Sequence, residues 1–256
     1  MLTRKISKLL PIICLAACFA LLINSSAYAD DKKPKEAKAP EWGWLEKGNA
    51  LFVSGKYQDA VNAYSKAIEL NPKIALFYNN RGYSYRHLNK YEEAIADYSR
   101  AIKIEPKYAG AYNNRGVVYG KMGKHDKEIA DYNKAIELDP KDPVVYYDRG
   151  IAYGKTGKYE KELADYNKAL ELAPKFTDVY YNRAYVHCKL RNFYQAIDDF
   201  DKVIEQNPKD AEAYYNRGVA HGKTGDYNKE LEDVKTAARL GHKGARDLLK
   251  KMGKDW

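Results

Sequence analysis

Cysteine is scarce in this chain: three among 256 residues, Cys14, Cys18 and Cys188. Two of them lie near the N-terminus, so one thiol is left for the body. That excludes a fold stapled by internal disulfides. A lone thiol is either buried packing or an interchain or reactive group. The motifs of catalysis are missing too. There is no glycine loop to cradle a phosphate, no HExxH and no zinc-type cysteine spacing, and the five histidines are scattered. Nothing therefore points to an enzyme, a metal or a cofactor. A block of one charge sign is also absent. The formal charge is +9, it falls to +6 without the first 29 residues, and acids alternate with bases along the rest. That argues against a nucleic-acid stripe. Long apolar runs are limited to one, Leu9 to Ile23. Its 15 residues fall short of the roughly 20 that a membrane helix needs.

That run has the layout of a secretion signal. Arg4, Lys5 and Lys8 precede it, and "AYA" at residues 27–29 offers small residues for cleavage before Asp30. Residues 1–29 are thus read as a signal peptide and the protein as exported, periplasmic or secreted. A second fate stays open. "LAAC", Leu15 to Cys18, resembles a bacterial lipobox, which would tether the chain to a membrane through a lipidated Cys18. The following "FALLI" is more apolar than such tethers are. Residues 30–40, "DDKKPKEAKAP", carry charge and proline but no large apolar side chain, the composition of a disordered tether.

What the chain has in abundance is repetition. "YNNRG" at 78–82 recurs at 112–116, then as "YYDRG" at 146–150, "YYNRA" at 180–184 and "YYNRG" at 214–218, always 34 residues on. Six units follow: 41–74, 75–108, 109–142, 143–176, 177–210 and 211–244. A tail at 245–256 contains a short amphipathic helix that should cap the last unit through Leu240, Leu248, Leu249 and Met252. Each unit reads as two helices. In the second, they span about Leu76 to His87 and Tyr91 to Ile104, the latter with Tyr91, Ala94, Ile95, Tyr98, Ala101 and Ile102 on one face. Between them stands Asn89, and elsewhere Gly55, Gly123, Gly157 or Gly225, residues that accept a left-handed backbone. Arg191 alone departs. Pro72, Pro106, Pro140, Pro174 and Pro208 end the units.

A 34-residue helix-turn-helix with an aromatic, a box glycine, a turn glycine and a terminal proline resembles the tetratricopeptide repeat. The resemblance covers about four fifths of the chain. It implies an all-α fold, a right-handed α-solenoid whose first helices line a concave groove. It also implies a non-catalytic scaffold or adaptor that holds a partner segment. A rival role is a structural assembly subunit, self-associating or lipid-tethered.

Three correlations inside the repeat carry the functional reading. Gly48, Gly82, Gly116, Gly150 and Gly218, with Ala184 once, allow close helix crossing against a small residue twelve positions on: Ala60, Ala94 or Ala196. Where that residue is Glu128, Glu162 or Glu230, the place four after the box glycine is itself Gly120, Gly154 or Gly222, a steric compensation. Arg81, Arg115, Arg149, Arg183 and Arg217 each have an aspartate sixteen residues on: Asp97, Asp131, Asp165, Asp199 and Asp233. The first unit lacks both members. An Arg–Asp tie between the two helices is the simplest use, and an arginine ladder for an acidic ligand is the other. His187 and His221 replace core tyrosines.

The residue before each of these arginines is Asn80, Asn114, Asp148, Asn182 or Asn216. These residues share a helix face with Tyr83, Tyr185 and the row Lys121, Lys155, Lys189 and Lys223, and they follow Tyr147, Tyr181 and Tyr215 directly. An asparagine ladder is similar to the peptide-binding arm of the O-GlcNAc transferases, where side-chain amides grip a ligand backbone. The resemblance implies a groove of amide rungs with a lysine row, suited to an extended protein or peptide segment, an acidic one included. Asp148 breaks the ladder and favours a donor only. Packing of each asparagine against a neighbouring helix is the other reading. Helices 8–10 Å apart would place one rung per about three ligand residues.

Overall fold

The computed structural model describes residues 39–255. The signal-peptide reading, Cys18 and most of the 30–40 tether lie outside them. The helices are α1 (Pro40–Val53), α2 (Tyr57–Leu70), α3 (Ala75–His87), α4 (Tyr91–Ile104), α5 (Ala109–Lys121), α6 (His125–Leu138) and α7 (Pro143–Lys155). They continue as α8 (Tyr159–Leu172), α9 (Thr177–Lys189), α10 (Phe193–Gln206), α11 (Ala211–Thr224), α12 (Tyr227–Arg239) and α13 (Lys243–Lys251). Each odd helix from α3 to α11 packs against the even helix that follows, and each pair stacks on the next; α1 meets α2 through Leu45 and Gly48 against Ala60 and Tyr64. The first helices of successive units also touch, α3 with α5 and α5 with α7. They therefore line the inner, concave side of a solenoid.

The turns explain the repeat length. Every turn within a pair has one left-handed residue: Gly55, Asn89, Gly123, Gly157, Arg191 and Gly225, with φ between 57° and 87°. Arg191 takes this backbone at φ 61° in spite of its Cβ, the strain that glycine avoids. After each even helix from α2 to α10 the backbone turns extended. Its N–H still bonds the carbonyl four residues back, as in Asn71 to Ala67 and Asp139 to Ala135.

The box glycines meet a different partner from the expected one. A Cβ on Gly82 would lie 3.0 Å from the Tyr98 ring and 3.2 Å from the Ala94 carbonyl oxygen. The ring sixteen residues on is the nearest obstacle, as at Gly116 against Tyr132 (2.8 Å) and Gly150 against Tyr166 (2.6 Å). The small residue at twelve admits the helix backbone, while the glycine admits the tyrosine. In the fifth unit Ala184 sits instead in the cluster of Phe200, both buried. The glutamate compensation takes the expected form. A Cβ on Gly154 or Gly222 would fall within 2.6 Å of the Glu162 or Glu230 carboxylate, and one on Gly120 would overlap Glu128.

The arginines tie three helices, one more than expected. Nε and Nη2 of each grip both oxygens of its aspartate at 2.5–2.9 Å. Nη1 then donates to the second helix of the preceding unit: Ser65 (3.0 Å), Ser99 (2.9 Å), Asn133 (2.8 Å), Asn167 (2.7 Å) or Asp201 (2.6 Å). The first unit has neither member of the pair. There Lys47 and Ala63 border an open hollow, with the Lys47 ammonium over Trp44 at 4.7 Å.

At the other end, α13 closes the stack. Ala245 and Leu249 are fully buried against Val234, Ala237 and Ala238, and Leu248 packs beside them. Leu240 and Met252, expected in the seal, stay 38% and 47% exposed. Leu240 is the C-cap of α12 and Met252 that of α13, so both stand at helix ends and not on the buried face.

Candidate functional site

With Nε, Nη1 and Nη2 all engaged, the arginines are structural. Binding chemistry on the concave side falls to the neighbouring positions. Asn80, Asn114, Asp148, Asn182 and Asn216 are half-buried on α3, α5, α7, α9 and α11. Each asparagine gives one amide N–H to the preceding unit: Asn80 to Asn49 Oδ1 (3.3 Å), Asn114 to Asn79 Oδ1 (3.0 Å), Asn182 to the Tyr147 hydroxyl (2.9 Å) and Asn216 to the Tyr181 hydroxyl (2.6 Å). The packing role is therefore real. It leaves a second N–H on each amide, and on Asn114, Asn182 and Asn216 an oxygen with no bond among the described residues. Tyr147 and Tyr181 become the next unit's acceptors. Tyr215 lies apart from them, stacked on His242 at 4.3 Å.

The lysine row divides in two. Lys155 reaches Glu128 in the preceding unit at 3.2 Å, and His125 Nδ1 lies 2.7 Å from the other oxygen of that buried carboxylate. Lys189 lies over the Tyr185 ring at 5.1 Å, and its bond to that side chain raises the ammonium above its usual range. Lys121 and Lys223 are exposed and have no such partner among the described residues. For Lys155 the cause lies 27 residues earlier, whereas Lys189 leaves the matching Glu162 and turns to Tyr185. A glutamate stands at that spacing for Lys155 and Lys189, and Ala94 and Ala196 for the other two. That spacing was present in the sequence and was the signal missed. At the N-terminal end, Tyr83 joins Phe52, Tyr57 and His87 in an aromatic cluster, with the Arg86 guanidinium 4.1 Å from the Tyr83 ring.

Two carboxyls here are held under strain. Asp148 is only half-buried, yet loss of hydration pushes it up to about 7; Asp142 and Glu128 raise it further, and Arg86 and Lys155 oppose. Burial likewise pushes Glu162 up to about 7, against the Tyr166 hydroxyl that donates to it at 2.9 Å. A carboxyl whose folded value lies above its unfolded one holds its proton better in the folded chain. Its stabilising contribution is complete below about pH 4 and is lost as pH rises toward 7. His87 works in the opposite sense, since its desolvated site, Arg86 and Lys121 lower it to about 4. The clean test is a difference. Asp148→Asn should raise stability by about 1 kcal/mol at pH 8, by restoring a donor to the ladder, and by much less at pH 5. Melting curves of the variant and the parent at both pH values check this; a pH-independent difference contradicts it.

Cys188 is half-buried, and burial pushes its thiol up to about 11, which leaves little thiolate for disulfide exchange. His221 is buried and His187 half-buried at their core positions. Among the described residues no cluster of His, Cys, Asp or Glu could hold a metal ion, and no helix is long and apolar enough to cross a membrane.

Comparison with known proteins agrees with this architecture. Tetratricopeptide-repeat models match residues 48–86, 82–123, 109–142, 131–164, 177–210 and 200–232. The chain belongs to the tetratricopeptide-repeat family. Dynein axonemal assembly factor 4 of Pongo pygmaeus is 51% identical over 47 residues, 18% of this chain and 11% of its own length. Hsp70-Hsp90 organizing protein 1 of Glycine max is 39% identical over 66 residues, 26% of this chain and 10% of its own. The chain thus spans about a tenth of these curated relatives. Among solved structures, YrrB, described as a TPR protein with an unusual peptide-binding site, aligns with a TM-score of 0.65 and 26% identity. The match covers 75% of this chain and 99% of YrrB. Pseudomonas aeruginosa pilF aligns with a TM-score of 0.71 at 16% identity, over 82% and 97% of the two chains, which shows the shared fold alone.

Proposed function

We propose that this protein is a non-catalytic scaffold that holds an extended segment of a partner protein in its concave groove, and that it does so after export. The observation that carries the reading is the ladder. Half-buried amides repeat at one height on successive first helices, and each has hydrogen-bonding capacity left after packing is satisfied. Such rungs suit a peptide backbone, which offers an N–H and a C=O at every residue. The peptide-binding description of YrrB, similar over most of its length, supports this. Lys121 and Lys223 would draw acidic residues at two points of the segment. The N-terminal sequence carries the export reading, through its basic start, apolar run and "AYA".

The asparagines have two jobs, so their removal cannot separate binding from stability. Lys121 and Lys223 can, because they are exposed and form no bond among the described residues. In a titration with a peptide selected on the protein, Lys121→Glu with Lys223→Glu should weaken binding roughly tenfold. It should also flatten the salt dependence and leave the melting temperature unchanged. Unchanged affinity in the folded double variant would move the site to the convex face.

A further inference from the structure

We infer that the middle of the groove, where the third and fourth units meet, takes a basic side chain of the ligand, and that Asp148 selects it; this rests on the groove reading above. Three rungs donate backward over a step of 35 residues: Asn114 to Asn79, Asn182 to Tyr147 and Asn216 to Tyr181. The same step sets Asp148 opposite Asn113. There the bond is missing. Asn113 Oδ1 is buried with no hydrogen-bond partner, and no donor is bonded to Asp148 among the described residues. By register, two acceptors stand where every neighbouring rung has a donor and an acceptor.

The charged groups that face Asp148 do not repair this. Lys155 is committed to Glu128. Arg86 lies against the Tyr83 ring. Glu128 and Asp142 add negative charge. One unit further on, Glu162 is 7% exposed and keeps Oε2 without a partner, while Lys189, the counterpart of Lys155, turns to Tyr185. The Asp148 rung therefore lacks a donor, and the Glu162 carboxylate beside Gly154 has one, the Tyr166 hydroxyl, for its two oxygens.

A proton on Asp148 supplies one donor and satisfies one acceptor. A primary ammonium carries three N–H groups and a guanidinium five, so either can bridge Asp148 and Asn113 Oδ1 together. Charge-assisted bonds of this kind are the strong ones. The raised carboxyl of Asp148 fits an anion awaiting such a donor. An acidic residue at the same point would meet Asp148 with like charge. The favoured ligand is thus an extended segment with lysine or arginine over the fourth unit, whatever its charge toward Lys121 and Lys223.

The test is selection of a random peptide library on the protein and on Asp148→Asn, a variant that carries what four other units carry. Peptides enriched on the parent should share lysine or arginine at one position. Replacing that residue by norleucine should weaken binding to the parent roughly tenfold and to Asp148→Asn hardly at all, with the variant still binding. Enriched peptides with no basic position would overturn the inference. So would an equal loss on both proteins, as expected if the Asn113 amide turns to close the rung. A library that yields no binder at all would overturn the groove reading, and this inference with it.

Discussion

Arg149→Ala is expected to destabilise the protein by about 3 kcal/mol. Arg149 and Asp165 are 18% and 7% exposed at the side chain, and two bonds of 2.8 and 2.7 Å join them. Truncating the arginine strands a buried carboxylate between α7 and α8. It also frees Asn133 on α6, so the break reaches the interface with the preceding unit. The double change Arg149→Met with Asp165→Leu should cost much less, since it leaves no orphaned charge. Denaturant curves of both variants decide the matter. Equal losses would mean that the pair is not the tie it is taken to be. Because Nη1 crosses to the preceding unit, hydrogen exchange in Arg149→Ala should quicken in α5 and α6 as well as in α7 and α8.

Removal of residues 243–256 is expected to unseat the last unit. α13 seals Val234, Ala237 and Ala238 through Ala245 and Leu249, all fully buried or nearly so. Its start is fixed by His242, whose Nδ1 accepts the Ala245 N–H at 3.0 Å. A solenoid stabilises each unit through its neighbours, so an unsealed end frays or associates. The point version, Leu249→Ala, should cost about 3 kcal/mol. The truncated chain should aggregate, or lose amide protection in 211–239 while α3 to α8 keep theirs. A truncated protein that stays monomeric with unchanged protection at 211–239 would show that α13 is not a cap.

Much of this architecture can be read from the sequence, for a physical reason. A 34-residue period forces each side chain to solve the same packing problem, so departures from the pattern appear in pairs. Glu128 with Gly120, and Lys47 with Ala63, are such pairs. What stays hidden is contact between units at an offset other than the period. The third hand of each arginine reaches sixteen residues back, and Lys155 reaches Glu128 twenty-seven back. Neither offset is suggested by helix periodicity. The asparagines were ambiguous because one amide can pack and bind at once, and only the geometry shows how much capacity packing consumes. Hydrophobicity alone points to Leu240 and Met252 for the cap, but they are the C-caps of α12 and α13, and the nine-residue helix between them buries Ala245 and Leu249.

The central claim is that the inner face of the first helices holds the ligand. A selected peptide carrying a photoreactive benzophenone tests it most directly, with the crosslinks on the protein mapped by mass spectrometry. Crosslinks should fall on α3, α5, α7, α9 and α11, at and beside Asn80, Asn114, Asp148, Asn182 and Asn216, and should move along the units as the label moves along the peptide. Crosslinks confined to the second helices, or to residues 30–40, would contradict the claim.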